Sequence, residues 1–163
     1  MANPLYGQNK LDNAIDNSTG SVIKFIPASD GTAIAGAESI VLTAADAGNK
    51  YFVNIGENTC TIRLPSAAAS MGYEVSVTLD IGSNSEATKD LHIFTDATTE
   101  FIIGAGNDAG VVHLSAITND ELMFDGTKLS GDNVSLICDG QHWYANYIAS
   151  TASTFVSGTA TRA

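Results

Sequence analysis

Positive charge is scarce in this chain: 7 Lys or Arg stand against 18 Asp or Glu among 163 residues, a formal charge of -11. Most of such a surface repels a nucleic-acid backbone, so DNA binding and genome packaging are excluded and no nucleic-acid partner is expected. Charge of either sign amounts to only 15%. Polarity comes instead from Ser, Thr, Asn and Gly, which suit strands and turns better than helices. No apolar run reaches the roughly 18 residues that span a bilayer, and no membrane partner is expected. The opening MANPLYGQNK lacks the apolar core of a secretory signal, so the chain reads as soluble and unexported.

Sequence signatures of chemistry are also missing. Cys60 and Cys138 lie far apart, with no CxxC spacing and no His cluster beside them, which disfavours zinc. In TCTIRL, Cys60 shares its alternation phase with Ile62 and Leu64, so a buried, unreactive thiol is expected, with a disulfide as the alternative. His92, His113 and His142 sit in separate strand-like runs, and nothing in the pattern makes them converge. There is no GxSxG elbow to expose a nucleophile, and no carboxylate pair stands out for glycoside hydrolysis. GAGNDAG at 104–110 lacks the GK[ST] ending of a phosphate loop and is expected to be a flexible turn, with Ca²⁺ ligation through Asn107 and Asp108 as its competitor. No catalytic residue, cofactor or metal is assigned.

What is present is a long series of short apolar or alternating runs. The length suits one domain burying about two-thirds of its unfolded surface. Residues 1–20 have little apolar content and read as an N-terminal arm, 21–150 as the folded domain, and 151–163 as a tail or a last edge strand. Within the domain, SVIKFI, SIVL, KYFVNI, CTIRL, YEVSVTLDI, LHIFT, EFIIG, VVHLSAI, ELMF, NVSLIC and HWYANYI predict about ten strands. Asp-Gly pairs at 30–31, 125–126 and 139–140 predict tight turns, the last two joining hairpins. LTAADAGNK, with Thr43 as N-cap, Asp46 three residues on and Gly48 as stop, predicts one helical turn; LPSAAASMGY, with Pro65 first and Gly72 after, predicts another. Both are expected to connect sheets. Without a repeat of solenoid length, the expected fold is all-β: an antiparallel, jelly-roll-like β-sandwich with short helical connectors and an extended N-terminal arm.

In NVSLICDGQHWYANYI, alternation puts Val134, Leu136 and Cys138 on one face and places Trp143 and Tyr144 on opposite faces. One aromatic then fills the core while the other faces a neighbouring subunit or stacks on a sugar. Trp143, Tyr144 and Tyr147 are the candidates for that contact.

Three stretches in order, LTAADAGNKYFVNI (42–55), RLPSAAASMGYEVSVTLDIG (63–82) and GDNVSLICDGQHWYA (131–145), resemble a β-sandwich module of tailed-phage virion proteins, particularly those of marine phages. That module reads as LTxxDxG, an LP-Ala-rich-G stretch and a closing GDxVxLIxDGxxWY hairpin, and the similarity covers about residues 40–148. The start, MANPLYGQNK, resembles that of small head-decoration proteins of marine podoviruses. Here Lys50 and Tyr51 follow the Gly48 turn after an extra Asn49. The resemblance implies a capsid decoration or cement protein on the virion surface, assembled in the host cytoplasm, often as a homotrimer, with the major capsid protein as partner. A tail or fibre module for host recognition is the alternative. Leu5, Tyr6, Leu11 and Ile15 of the arm are the expected docking residues.

Overall fold

The computed structural model of the chain describes residues 23–26, 38–53, 59–79, 90–108, 110–116, 118–124, 131–150 and 153–156. The described residues form twelve strands: β1 (Ile23–Ile26), β2 (Glu38–Val41), β3 (Lys50–Val53), β4 (Cys60–Arg63), β5 (Glu74–Leu79), β6 (Leu91–Phe94), β7 (Ile102–Asp108), β8 (Val111–Leu114), β9 (Glu121–Phe124), β10 (Asn133–Cys138), β11 (Trp143–Ala149) and β12 (Ser153–Val156). They make an all-β, two-sheet, sandwich-like fold. One sheet has seven strands in the order β1-β3-β5-β10-β11-β7-β8, and the other has five in the order β12-β9-β6-β4-β2.

All eleven predicted runs contain a strand, and the tail region contributes β12 at the edge of the smaller sheet. Strand direction departs from the antiparallel jelly-roll expectation, for both sheets are mixed. Strands β1, β3 and β5 run parallel in the larger sheet, β2, β4 and β6 run parallel in the smaller, and β7 runs parallel to β11. The cause is the path of the chain. Each of the first six strands lies in the sheet opposite to its predecessor, so consecutive strands cannot pair, and the chain winds like a short flattened coil. Glu38 lies against Cys60 but Cys60 against Leu91, so successive coils differ in length and no fixed period marks the sequence. Antiparallel neighbours in sequence occur at the hairpins β7–β8 and β10–β11.

The two predicted helical turns are the corners of this winding. Ala44–Asp46 carries the chain from β2 to β3 and Ala67–Ala69 from β4 to β5, each crossing between sheets as a 3-10 turn. At the first corner the Asp46 carboxylate accepts hydrogen bonds from the Thr43 amide and hydroxyl, both at 2.9 Å, from the Tyr51 hydroxyl at 2.7 Å and from the Asn49 amide at 3.3 Å. At the second, Glu100 reaches from another part of the chain to accept from the Ala67 amide at 2.8 Å and the Ser66 hydroxyl at 3.0 Å. Buried carboxylates thus hold turns too short to be stable alone.

Between the sheets lies one hydrophobic core, including Leu42, Val53, Ile62, Leu64, Val77, Ile93, Leu136 and Trp143. Cys60 and Cys138 are buried in it and are not joined in a disulfide. The 104–110 segment is a second departure from expectation: Gly104–Asp108 lies inside β7. Its glycines serve close packing. A Cβ on Gly106 would lie 2.2 Å from the Tyr147 ring, which occupies the space a side chain would need. Turn geometry is confined to the end of the segment, where Asn107 Oδ1 accepts from the Gly110 amide at 2.8 Å.

Candidate functional site

The most distinctive surface is the outward face of the seven-stranded sheet. Alternation along β10 and β11 sends Val134, Leu136, Cys138, Trp143, Ala145, Tyr147 and Ala149 into the core and leaves the residues between them outside. Cross-strand register arranges those outward residues in rows. Ile137, Tyr144 and Ile103 form one; Ser135, Asn146, Ala105 and Leu114 the next; Asn133, Ile148, Asn107 and Val112 the third. Glu74, opposite Ile137, is the charged residue at the margin. In a chain carrying -11, an uncharged area spanning β10, β11, β7 and β8 is conspicuous, and within it Ile137, Tyr144, Ile148, Val112 and Leu114 are exposed apolar side chains.

Centred on the first row is a concavity of about 280 Å³ lined by Glu74, Ile103, Ser135, Ile137, Tyr144 and Asn146. Its aromatic wall is held by the β10–β11 turn. Asp139 Oδ1 accepts from the amides of Gln141 at 2.8 Å and His142 at 2.7 Å, while Oδ2 accepts from the Tyr144 hydroxyl at 3.1 Å. These backbone amides, His142 first, hold the Asp139 carboxyl below the usual carboxylate range. The hydrogen bond to Asp139 and its negative charge in turn push the Tyr144 hydroxyl above the usual tyrosine value. Gly140, at φ 92, supplies the left-handed backbone that this turn requires. The site therefore presents a tethered phenol ring, aliphatic neighbours, and the hydroxyl, amide and carboxylate of Ser135, Asn146 and Glu74.

The structure separates the three aromatic candidates. Tyr144 is exposed on the outer face. Trp143 and Tyr147 are fully buried, Trp143 edge-on to Tyr73 at 5.4 Å and Tyr147 edge-on to Phe124 at 6.1 Å. A surface contact through either is corrected accordingly: Trp143 and Tyr147 share one face because they are four residues apart on a strand, and that face meets the second sheet. Leu5, Tyr6, Leu11 and Ile15 lie outside the described residues, as do the Asp-Gly pairs at 30–31 and 125–126. Sequence reasoning did not single out Ile137, Ile148, Val112 or Leu114, although Ile137 and Ile148 were readable as the residues out of phase with the core of their strands.

The remaining polar clusters hold the fold together. Asp132 accepts from the Ser150 amide and hydroxyl, both at 2.9 Å, closing the open end of the β10–β11 pair. His92 on β6 contacts Glu121 on β9, with Asp90 on its other side at 3.8 Å. His113 lies on β8 and His142 in the β10–β11 turn, where it stacks on Phe101 at 5.3 Å. Among the described residues no three His, Cys, Asp or Glu gather where a metal ion could be held, and no helix is long and apolar enough to cross a membrane. A scan against protein-family models returns no match, and neither does a search of curated proteins.

Proposed function

We propose that this chain is a non-enzymatic structural protein of a phage virion, a capsid decoration protein that associates in threes on the outer shell and ties neighbouring major capsid subunits together. The observation that carries the reading is the uncharged area that β10, β11, β7 and β8 make on the outer face of the larger sheet. A protein with this net charge repels other acidic surfaces over most of its own, and this area is where an acidic protein can approach without meeting like charge. Its mixture of Ser and Asn with isolated Ile, Val, Leu and Tyr has the polarity of a reversible protein contact. The three-fold association and the virion location come from the resemblance of the 42–55, 63–82 and 131–145 stretches.

The mechanism is mechanical. Area buried across the junction of two capsid subunits is lost when they separate, so the bound protein raises the free energy needed to part them under internal DNA pressure. Each contact can be modest, since one oligomer engages several subunits at once and its contacts act together. The test is binding to purified heads lacking the protein, with copy number read from a stained gel. Stoichiometry of hundreds per head is expected, reduced at least about ten-fold by Ile148→Lys with the thermal unfolding temperature unchanged. A handful of copies per virion, confined to tails, would refute the assignment. Deletion of residues 1–18 is expected to leave a folded domain that no longer binds; retained binding removes the arm from the mechanism.

A second reading is favoured by the tethered ring of Tyr144 above the concavity. An exposed aromatic face flanked by Ser135, Asn146 and Glu74 suits a sugar, whose C–H face stacks while its hydroxyls hydrogen-bond. In that case the chain is a host-recognition module of the tail. Glycan-array binding abolished by Tyr144→Ala in a folded protein would support it; a blank array together with head-bound copies would exclude it.

A further inference from the structure

Strand β8 is unusual for an edge. It is the last strand of the larger sheet, and among the described strands β7 is its one neighbour. All four of its residues are exposed, Val111, Val112 and Leu114 at 58%, 68% and 77%. A strand that merely finishes a sandwich buries one face against the opposite sheet. β8 buries neither, so three large apolar side chains add nothing to the core of their own chain. Nor does it carry the Lys, Pro or bulge with which natural edges discourage pairing.

Register shows what the open edge offers. The Ser115 amide donates to the Gly104 carbonyl at 2.9 Å, which makes 104 and 115 a hydrogen-bonded pair. By the alternation of an antiparallel ladder, His113 and Val111 then also direct their backbone groups at β7, while the N–H and C=O of Val112 and Leu114 point to the open side. On the outward face Val112 and Leu114 continue the uncharged area; Val111 and His113 lie on the opposite face.

We propose that two copies of this chain pair edge to edge through β8, antiparallel, about a two-fold axis passing between their His113 residues. Val112 of each copy lies opposite Leu114 of the other, and each such pair exchanges two backbone hydrogen bonds, about four in all. His113 faces its own counterpart in a non-hydrogen-bonded position, where Cα atoms come within about 4.5 Å. The two seven-stranded sheets become one continuous sheet, and their uncharged areas over β10, β11, β7 and β8 join across the seam. Charge selects a second copy as the occupant. Residues 101–116 contain no Lys, Arg or Glu, and Asp108 is their single carboxylate, so copies that repel elsewhere meet here at little electrostatic cost. A two-fold contact also needs only self-complementarity, which this strand has.

This contact goes beyond the virion reading and does not depend on it. A four-residue strand pair buries less than the roughly 1,200 Å² of a standard stable interface, so the pair is weak and concentration-dependent. Three variants test it by sedimentation velocity over a concentration series of the full chain. Val112→Pro removes an amide that faces outward, so the monomer fold is expected to survive as judged by circular dichroism, and the particle mass is expected to halve. Leu114→Lys, at an exposed position, is expected to do the same and stands in if the proline variant is unfolded. His113→Cys is expected to form a disulfide-linked dimer on mild oxidation, since the geometry suits the bond and both native cysteines are buried. A wild-type particle that stays monomeric at every concentration would overturn the proposal. So would an oligomer whose mass is unchanged by both edge variants, or a His113→Cys protein that fails to cross-link.

Discussion

Replacing Asp46 tests whether the corners of this fold are held by their polar networks or only by the hydrophobic core beneath them. The side chain is buried, and its two oxygens accept from four donors. In Asp46→Ala the Thr43 amide and hydroxyl, on an exposed residue, turn to water, at about the 1 kcal/mol typical of a lost cap. Tyr51 and Asn49 are buried and each loses an acceptor where water does not readily replace it, at about 1–3 kcal/mol apiece. The sum is roughly 3–7 kcal/mol, a large share of the ~5–15 kcal/mol that holds an ordinary domain. For a chain of this size that is a drop of about 10–20 °C in unfolding temperature. Asp46→Asn keeps the shape and one carbonyl oxygen but turns an amide NH2, itself a donor, toward donors, and should cost about half as much. Tyr51→Phe should cost about 1 kcal/mol, and in that background the alanine replacement should cost about 1 kcal/mol less, as expected for partners in one network. Denaturant unfolding of the wild type and these variants measures all of this. A cost below about 1 kcal/mol for Asp46→Ala, or strict additivity with Tyr51→Phe, would refute the argument.

The same geometry yields three further expectations. Gly106→Ala drives a methyl into the Tyr147 ring and is expected to cost about 1–3 kcal/mol, measured by denaturant unfolding and partly relieved by Tyr147→Leu, which clears the ring. Burial pushes the Tyr51 and Tyr73 hydroxyls above the usual tyrosine value, helped in Tyr51 by its bond to Asp46. A raised value means the folded state holds its protons longer than the unfolded chain, so this contribution is intact below about pH 10 and is lost as pH climbs beyond it. The unfolding temperature should therefore fall above about pH 10, less steeply in Tyr51→Phe, and phenolate absorbance from every tyrosine near pH 10 without any loss of stability would contradict this. Native protein should leave both thiols unreacted with a colorimetric disulfide reagent until denatured, for Cys60 and Cys138 are buried and burial pushes the Cys138 thiol up.

Strand positions, both corners and the turn at Gly140 were legible in the sequence because each is a local matter. Alternation with period two marks a strand wherever it ends up, and the corner at Thr43–Gly48 was readable because Asp46 sits within reach of the amide it accepts from. The candidate site was legible only in part. Tyr144 was named beside Trp143 and Tyr147, since a single alternating run says which residues share a face and not which face turns inward. Contact with the second sheet breaks that symmetry. It took the Trp143 side for the core and left Ile137, Tyr144 and Ile148 outside.

The sequence by itself determined that the chain would be β-rich, acidic and punctuated by a few fixed turns, because composition and short-range spacing act within a few residues. Tertiary structure alone decided the partners. Parallel pairing arose because successive strands cross to opposite sheets, a fact of unequal connections that no repeat announces. The GAGND stretch became a strand because Tyr147, far along the chain, needs the room its glycine leaves. The apolar run of β8 became surface because the second sheet does not cover it, and long-range packing, not local pattern, decides what is covered.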